Sequence, residues 1–436
     1  MSEQSRHYLV LGAGRSGRAA IELLRRLGAR VRVYDRDPRR LEDLPLDVAR
    51  VSGGALPDLD GYDGVVTSPG IAVPEHPGLM PEIDLAAPHI HTPVIGVTGT
   101  NGKSTTVVLT GEMLRRSGLA VPIGGNLGDP LCALVGAPAD ALVAELSSFQ
   151  LELARALHVQ IGVLLNLAPD HLDRHGSLEA YGEAKARLLA LQRATDTLIV
   201  NLDDGWARET ARRAAGRVLG FSTRTVLERG ACLEGEELVL RDPDGRELLR
   251  VPREKLSDAC RATVENALAS MLAASLAGAT PEAIRERLEC FAGLPHRGRL
   301  VCVRRGVRYV DDSKATNPAA AARSLSSQPR GCVWIAGGRN KGLDLATLAD
   351  AAEGLRAAIF FGESRSALAA AVPNASEIVE VPSLEQAVAA AAERAVRGTT
   401  VLLAPACASH DQFASFEERG RRFAELARAL PEEAPC

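Results

Sequence analysis

Short apolar runs rich in Val, Ile and Leu alternate along the whole chain with longer Ala/Leu/Arg segments whose apolar positions recur at helical spacing. The first pattern is that of buried strands and the second that of amphipathic helices, so their alternation predicts an α/β protein with mostly parallel sheets. The alternation falls into three blocks. In the first, the run Tyr8–Leu11 leads through a glycine turn into a helix ending near Gly28, and a second run at Val31–Asp35 completes a βαβ unit. Two prolines and two histidines between Pro88 and Pro93 interrupt it before a new strand at Val94–Val97. The second block carries one long helix predicted over Ser257–Leu276 and another over Pro281–Cys290, with proline in its favoured first position. Gly293-Leu-Pro-His-Arg-Gly298 reads as a linker. Beyond it, strand-like runs at Val307–Val310, Cys332–Ala336, Ala358–Phe361 and Val401–Ala404 alternate with helices. The expected domains are residues 1–92, 93–293 and 294–436.

The length of 436 residues fits three domains at roughly 150 residues each. A hydrophobic fraction of 46% leaves material for several cores. Lys plus Arg number 51 against 55 Asp plus Glu, a net charge of −4, so no basic field exists to hold a polyanion. Only 3% of residues are aromatic, which argues against a surface that stacks unpaired bases. No nucleic-acid partner is expected. Around its short apolar run the N-terminus carries Glu3, Arg6, His7, Arg15 and Arg18, unlike a secretory leader. No stretch reaches the roughly 18 apolar residues of a membrane span, so a cytoplasmic protein without a membrane partner is expected. Eight cysteines without a CxxC pair suggest neither a zinc ribbon nor a disulfide framework.

Two glycine-rich turns carry chemistry. Gly12-Ala-Gly14-Arg-Ser-Gly17 follows a strand and opens a helix, with Asp35 at the end of the next strand. Backbone N–H groups at such a helix start approach an anion closely, and the acid can accept from a ribose or base. Gly96-Val-Thr-Gly99-Thr-Asn-Gly102-Lys103-Ser104-Thr105 likewise joins a strand to a helix. Its amides would cradle phosphates, Lys103 would reach the terminal ones and the Ser104 hydroxyl would ligate magnesium. Val97 stands where the strict phosphate-loop spelling has its first glycine. Downstream, Glu145 ends the apolar run Ala141–Glu145, where a magnesium ligand beside such a loop belongs. The run Gln160–Leu165 ends in Asn166-Leu-Ala-Pro-Asp170-His171-Leu-Asp173. These features predict a Rossmann-like N-terminal domain, a central P-loop ATPase-type domain and a Rossmann-like C-terminal α/β domain.

With Thr98–Thr105, Glu145-Leu-Ser-Ser-Phe-Gln-Leu-Glu152, Asn166–Asp173, Gly293–Arg297, Asp312-Ser-Lys-Ala-Thr-Asn317 and Pro405-Ala-Cys-Ala-Ser-His-Asp-Gln-Phe413 in this order, the chain resembles the Mur ligase family over essentially its whole length. The spellings from Glu145 and Asp312 resemble the branch that adds glutamate to UDP-N-acetylmuramoyl-L-alanine. The resemblance implies a cytoplasmic step of peptidoglycan precursor synthesis. In it ATP converts the substrate carboxylate to an acyl phosphate, and the amine of D-glutamate displaces phosphate to form an amide.

The same resemblance implies the site residues. ATP would meet Gly99, Thr100, Asn101, Gly102, Lys103, Ser104 and Thr105, with Asn266, His296, Arg297, Asp312 and Lys314. One Mg2+ would be held by Ser104 and Glu145, and a second by His171 and a carbamylated Lys185. Read by its residues alone, Lys185 sits in a helical run over Leu178–Gln192 and would be a solvated face. The UDP-linked substrate would meet Gly14, Arg15, Ser16, Asp35, Arg36, Gly70, Asn126 and His171, and glutamate would meet Thr316, Lys341, Ser409 and Phe416. Lys103, His171, Lys185 and Lys314 would be catalytic, and a monomer is the default expectation.

Three positions depart from the family's habit. Ala262-Thr263 stands where His-Asn is common, His410 stands where leucine is expected, and Arg339 occupies a turn position that is often acidic. The last two leave the stereochemistry of the added amino acid open. The rivals are another Mur-type ligase, a folylpolyglutamate-synthase relative, a nicotinamide-dependent dehydrogenase built on the first glycine turn, and a nucleotide binder without chemistry.

Overall fold

The computed structural model describes residues 6–68, 71 and 73–432; Gly70 and the side chain of Asp173 lie outside the described residues. Three sheets carry the chain. The first has five parallel strands in the order Ala49–Ser52, Arg30–Asp35, His7–Leu11, Gly64–Thr67, Leu79–Pro81. Its order reverses between His7–Leu11 and Gly64–Thr67, and open α/β sheets bind ligands outside the carboxyl ends of strands at such a reversal. The first glycine turn begins there. An alanine Cβ at Gly17 would lie 1.7 Å from the Gly12 carbonyl oxygen, so helix Arg15–Arg26 packs this closely on its strand only with glycine.

The central sheet has nine strands, with Val94–Thr98 flanked by Leu142–Glu145 on one side and Ile161–Leu164 on the other, all parallel. Both Val97 and Glu145 stand level in this register. Parallel pairing continues through Thr197–Asn201 and Arg217–Ser222 to Gly230–Glu234, after which Glu237–Arg241 and Glu247–Pro252 extend the sheet antiparallel. Sequence reading assigned nothing to this extension. The short apolar run Leu238–Leu240 between charged residues and the turn residues Asp242-Pro-Asp-Gly245 are its signature. In the third sheet Arg299–Arg304 runs antiparallel to Val307–Asp311, and Thr400–Ala406, Val333–Gly337, Ala357–Phe361 and Ile378–Val381 follow in parallel. The chain is thus an α/β protein of mostly parallel sheets.

Packing divides the chain into two compact units, Met1–Leu167 with Glu179–Phe291, and Ala168–Leu178 with Ala292–Cys436. The first holds two of the sheets and the second holds the third, so sheet count and compact-unit count differ.

Two predicted helices are revised. Ser257–Leu276 is not one helix but two, Asp258–Ala262 and Val264–Leu276, because Thr263 leaves helical geometry at φ −137° and ψ 55°. The Thr263 hydroxyl donates to the Ala259 carbonyl at 2.9 Å, taking the acceptor its own N–H would use, and that N–H turns to Cys260 O. The run Leu178–Gln192 is α-helical over Leu178–Ala186 and tightens to a 3-10 turn over Arg187–Leu191.

Helix Glu82–Ala86 leaves the first sheet with two buried carboxylates. Asp84 accepts from the N–H groups of Arg155, Ala156 and Leu157, at 2.7, 3.1 and 3.4 Å. Glu82 Oε1 accepts from Cys132 N at 2.5 Å, while its Oε2 is buried with no partner among the described residues. Burial pushes the Glu82 carboxyl up to about 7. A carboxyl raised in the fold favours the protonated state, so its contribution to stability is complete below the ordinary carboxyl range near 4.5 and is lost as pH rises to about 7. Denaturant unfolding at pH 4.5 and pH 8 is expected to show the native chain losing up to about 3 kcal/mol relative to Glu82→Gln across that interval. A pH-independent difference would mean that the folded protein holds Glu82 ionised.

Candidate functional site

The loop from Gly99 to Gly102 is built by neighbours as much as by its own glycines. Asn166, at the end of the adjacent strand, accepts from Thr100 N with its carbonyl and from Asn101 N with Oδ1, both at 2.9 Å, and returns Nδ2 to Asn101 O at 3.1 Å. Lys103 Nζ folds back onto Gly99 O and Thr100 O at 2.7 and 2.9 Å. Lys185 Nζ reaches the same Gly99 carbonyl at 3.0 Å and lies 4.2 Å from the centre of the Tyr181 ring. The side chain is 1% exposed, which overturns the solvated-face reading of Lys185. Two cations therefore share one carbonyl beneath a loop of amides, an arrangement that fits a polyphosphate.

Beyond that loop, Ser104 and Thr105 are buried in the first turn of helix Lys103–Arg116. Gly102 has φ +88°, and a Cβ there would come 2.2 Å from Asn266 Oδ1, so the buried Asn266 abuts the helix start. Glu145 ends its strand next door, immediately before helix Ser148–Leu153, whose start is fixed by a reciprocal Ser147–Gln150 capping box. Asn126 fixes the carboxylate, Nδ2 donating to Glu145 Oε1 at 2.6 Å and its N–H to Glu145 O at 2.9 Å. A serine hydroxyl and a carboxylate are hard oxygen donors, so Ser104 and Glu145 fit magnesium. As an ammonium, Lys185 has no lone pair for a metal; a carbamate would give it oxygen donors.

In the same compact unit a cavity of about 720 Å³ opens at the strand reversal of the first sheet. Gly14, Arg15, Ser16, Asp35, Arg36 and Asn126 line it, six of the eight residues expected to meet the UDP-linked substrate. The seventh, Gly70, lies outside the described residues, and the eighth, His171, falls in the other compact unit. Asp35 is spent on structure: Oδ2 accepts from Ala13 N at 2.8 Å and Oδ1 from Asp37 N at 3.0 Å. Tyr34, Ser68 and Gln150, which sequence reading passed over, also line the cavity.

In the second compact unit Asp170 is a hub. Lys341 Nζ donates to Oδ1 at 3.1 Å and Asn317 Nδ2 to Oδ2 at 3.0 Å, while His171 Nε2 lies 3.8 Å away. Burial pushes the carboxyl up, but Lys341, His171 and the Asn317 amide prevail and hold it below the usual range. His171 itself is in left-handed geometry at φ +52°.

Nearby in sequence, Lys314 Nζ sits 3.9 Å over the Phe416 ring, and Ser313 Oγ donates to Phe416 O at 2.8 Å. Thr316 N–H bonds Lys314 O at 2.7 Å, and Ser409 is buried with its carbonyl accepting from Gln412 and Phe413. His296 Nδ1 pairs with Asp311 Oδ2 at 2.6 Å. Burial raises the Asp312 carboxyl to about 6, opposed by Ser324 and Arg297. Arg339 meets Glu363 at 2.9 Å, and His410 is exposed.

Arg419, missed in the sequence, locks these segments together. Wholly buried, it donates to Ser313 Oγ and O, Gly337 O and Cys407 O at 2.9–3.1 Å. Within Glu417-Glu-Arg-Gly-Arg-Arg422 nothing distinguishes it from solvated charge.

A family model described as the Mur ligase middle domain matches residues 97–274, and one described as the Mur ligase, glutamate ligase domain, matches 296–407. Residues 3–53 match the alanine dehydrogenase/PNT C-terminal domain. The UDP-N-acetylmuramoylalanine–D-glutamate ligase of Desulfitobacterium hafniense is 38% identical over 98% of this chain and 98% of its own. That of Myxococcus xanthus is 40% identical over 97% of this chain and 98% of its own. Among solved structures, a pseudomurein peptide ligase type C from Methanothermus fervidus aligns with a TM-score of 0.64 at 19% identity, covering 97% of this chain and all of that one. E. coli FolC in complex with ADP aligns at 0.58 and 20% identity, covering 79% of this chain and 92% of that one.

Because Gly102 abuts Asn266, Gly102→Ala is expected to weaken ADP binding at least about tenfold by calorimetry. Adding Asn266→Ala should restore only part of it, since about 1–2 kcal/mol of left-handed backbone strain remains. Full recovery in the double variant would show that steric contact alone was at fault.

Proposed function

The chain belongs to the Mur ligase family, and we infer from its nearly full-length identity to D-glutamate-adding members that it is an ATP-dependent amide ligase of peptidoglycan precursor synthesis, joining D-glutamate to UDP-N-acetylmuramoyl-L-alanine. That identity, 38–40% over 97–98% of the chain, carries the reading. The loop of amides over Lys103 and Lys185, and the cavity at the first strand reversal, support it as places for a polyphosphate and a nucleotide-linked substrate.

In the reaction the substrate carboxylate attacks the terminal phosphorus of ATP, the bond to the bridging oxygen breaks and ADP leaves. The glutamate amine then adds to the acyl phosphate, the tetrahedral intermediate expels phosphate, and the amine's surplus proton is released. Two anions must meet in the first step, so the protein's task is charge neutralisation and alignment. Lys103 neutralises phosphate, with Gly99–Thr105 and Asn266 as its cradle, and Lys314 and Arg297 do so for the nucleotide or its transferred group, which His296 and Asp312 also meet. Ser104 and Glu145 would hold one magnesium ion, and His171 with carbamylated Lys185 a second; when bound, magnesium supplies positive charge to the phosphate oxygens.

Glutamate is assigned to Thr316, Lys341, Ser409 and Phe416. Lys341 already holds a carboxylate, that of Asp170, so its ammonium is placed for this chemistry. The UDP-linked substrate is assigned to Gly14, Arg15, Ser16, Asp35, Arg36, Gly70, Asn126 and His171. Domain limits at residues 92 and 293, a monomer and a cytoplasmic location complete the reading; among the described residues no helix is long and apolar enough to cross a membrane. The dehydrogenase rival retains only the match over residues 3–53, a βαβ unit common to many nucleotide binders.

Release of ADP and phosphate from ATP, magnesium and UDP-N-acetylmuramoyl-L-alanine is expected with D-glutamate and not with L-glutamate or without amino acid. Lys185→Ala should lower turnover by about a hundredfold or more while the chain still binds nucleotide. Preference for L-glutamate would shift specificity to the pocket bearing His410 and Arg339, and unchanged turnover in Lys185→Ala would remove that lysine from the mechanism.

A further inference from the structure

The chain from Gly125 to Val135 forms one wall of the 720 Å³ cavity, through Gly125, Asn126 and Pro130, and faces the glycine turn across it. This wall ends in a helix of four residues, Leu131–Leu134, too short to hold itself together. Both of its ends are held by side chains that arise beyond the cavity. At the N-terminal end Glu82 Oε1 takes the Cys132 N–H at 2.5 Å, and Cys132 Sγ donates back to Glu82 O at 3.4 Å. At the C-terminal end Arg26 donates to Cys132 O and Val135 O, each at 3.3 Å. A carboxyl oxygen on a free amide and a guanidinium on two carbonyls answer the unpaired groups of the helix ends.

Arg26 comes from the helix whose first residues, Arg15 and Ser16, line the opposite wall, and Glu82 from the edge of the sheet on which that helix packs. Arg26 is the last residue of the helix that starts in the glycine turn, and Glu82 is the first residue after the edge strand of the first sheet. Between them Arg15 donates to Gly128 O, and on its far side the wall is tied by Asn126 to Glu145. Neither Glu82 nor Arg26 lines the cavity. Glu82 is an expensive choice for packing alone, because among the described residues its second oxygen is buried without a partner and an apolar residue would fill the space at lower cost.

We propose that Glu82 and Arg26 are positioning residues for the substrate cavity, clamping the Leu131–Leu134 turn so that Asn126 and Pro130 stand at the spacing from the glycine turn that the UDP-linked substrate requires. The proposal rests on the ligase reading for the identity of that substrate. It predicts that loosening the clamp weakens the UDP-linked substrate and spares the nucleotide held by Gly99–Thr105, which neither residue touches.

The test is calorimetric titration of Glu82→Ala, Glu82→Gln and Arg26→Met with UDP-N-acetylmuramoyl-L-alanine and, separately, with ADP, on chains that melt cooperatively. Glu82→Ala should bind the UDP-linked substrate about tenfold more weakly with ADP affinity within about twofold of the native chain. Glu82→Gln should recover most of the loss, since its amide oxygen still accepts from Cys132 N. Arg26→Met, at an exposed helix end, should show a smaller loss of about threefold and leaves no buried charge behind. Native affinity for the UDP-linked substrate in Arg26→Met and in whichever Glu82 variant folds would overturn the proposal, as would equal losses for both ligands. A native chain that binds the UDP-linked substrate but does not turn over with D-glutamate would sink the ligase reading alone, while the affinity ratios still decide the clamp.

Discussion

The register of three neighbouring parallel strands is the constraint from which the nucleotide site follows. Val94–Thr98 lies between Leu142–Glu145 and Ile161–Leu164, with Val97 level with Glu145 and Thr98 level with Leu164. All three carboxyl ends therefore deliver their next residues to one edge: the amide loop from the middle strand, a carboxylate from one neighbour and the cradling Asn166 from the other. A slip of one residue in either pairing would turn alternate side chains to the opposite face of the sheet. It would also break the hydrogen bonds by which Asn166 shapes the loop, so the hydrophobic fit of three buried strands fixes the placement of polar groups that contribute nothing to that fit.

Charged side chains here hold backbone more often than they hold each other. Asp35 shapes the glycine turn, Asp84 gathers three successive amides, Arg419 binds three carbonyls and a hydroxyl, and Glu82 with Arg26 fixes the two ends of one short helix. Buried ions are costly unless their hydrogen-bonding capacity is filled, and loops rich in free amides and carbonyls are what fills it. The result is that irregular segments around the sites are held by side-chain hydrogen bonds as well as by their own backbone. With few aromatic residues to grip a nucleotide, recognition falls to backbone and charge, and such recognition works only if the backbone is held in place.

This division explains what could be read from the sequence. The phosphate loop was legible because its glycines, lysine and hydroxyls are consecutive, and the three-block alternation was legible because strand and helix periods are local. That Glu145 ends its strand was legible from position, whereas Asn126 was singled out by family likeness alone. Lys185 and Arg419 were not legible from residue pattern: each lies among other charges on a helix, and only tertiary packing decides which of several charged positions turns inward. Thr263 broke a helix through a side-chain bond to its own i−4 carbonyl, a competition that periodicity does not register. Glu82 looked like an ordinary first-turn acid until the partner amide, fifty residues away, was in place.

In the second compact unit Asp170 and Lys341 form a largely buried ion pair. Asp170 is held below the ordinary carboxylate range, so it remains ionised at neutral pH and keeps Lys341 where it is. An ammonium has three donors, and Asp170 uses one of them, at 3.1 Å. On the ligase reading, the remaining donors of Lys341 would leave room for a glutamate carboxylate beside that of Asp170, which would place two anions around one cation. Affinity for an amino acid held there would then depend on the balance between Asp170 and Lys341: removing the Asp170 charge would strengthen the attraction of Lys341 for a carboxylate while releasing the lysine from its place.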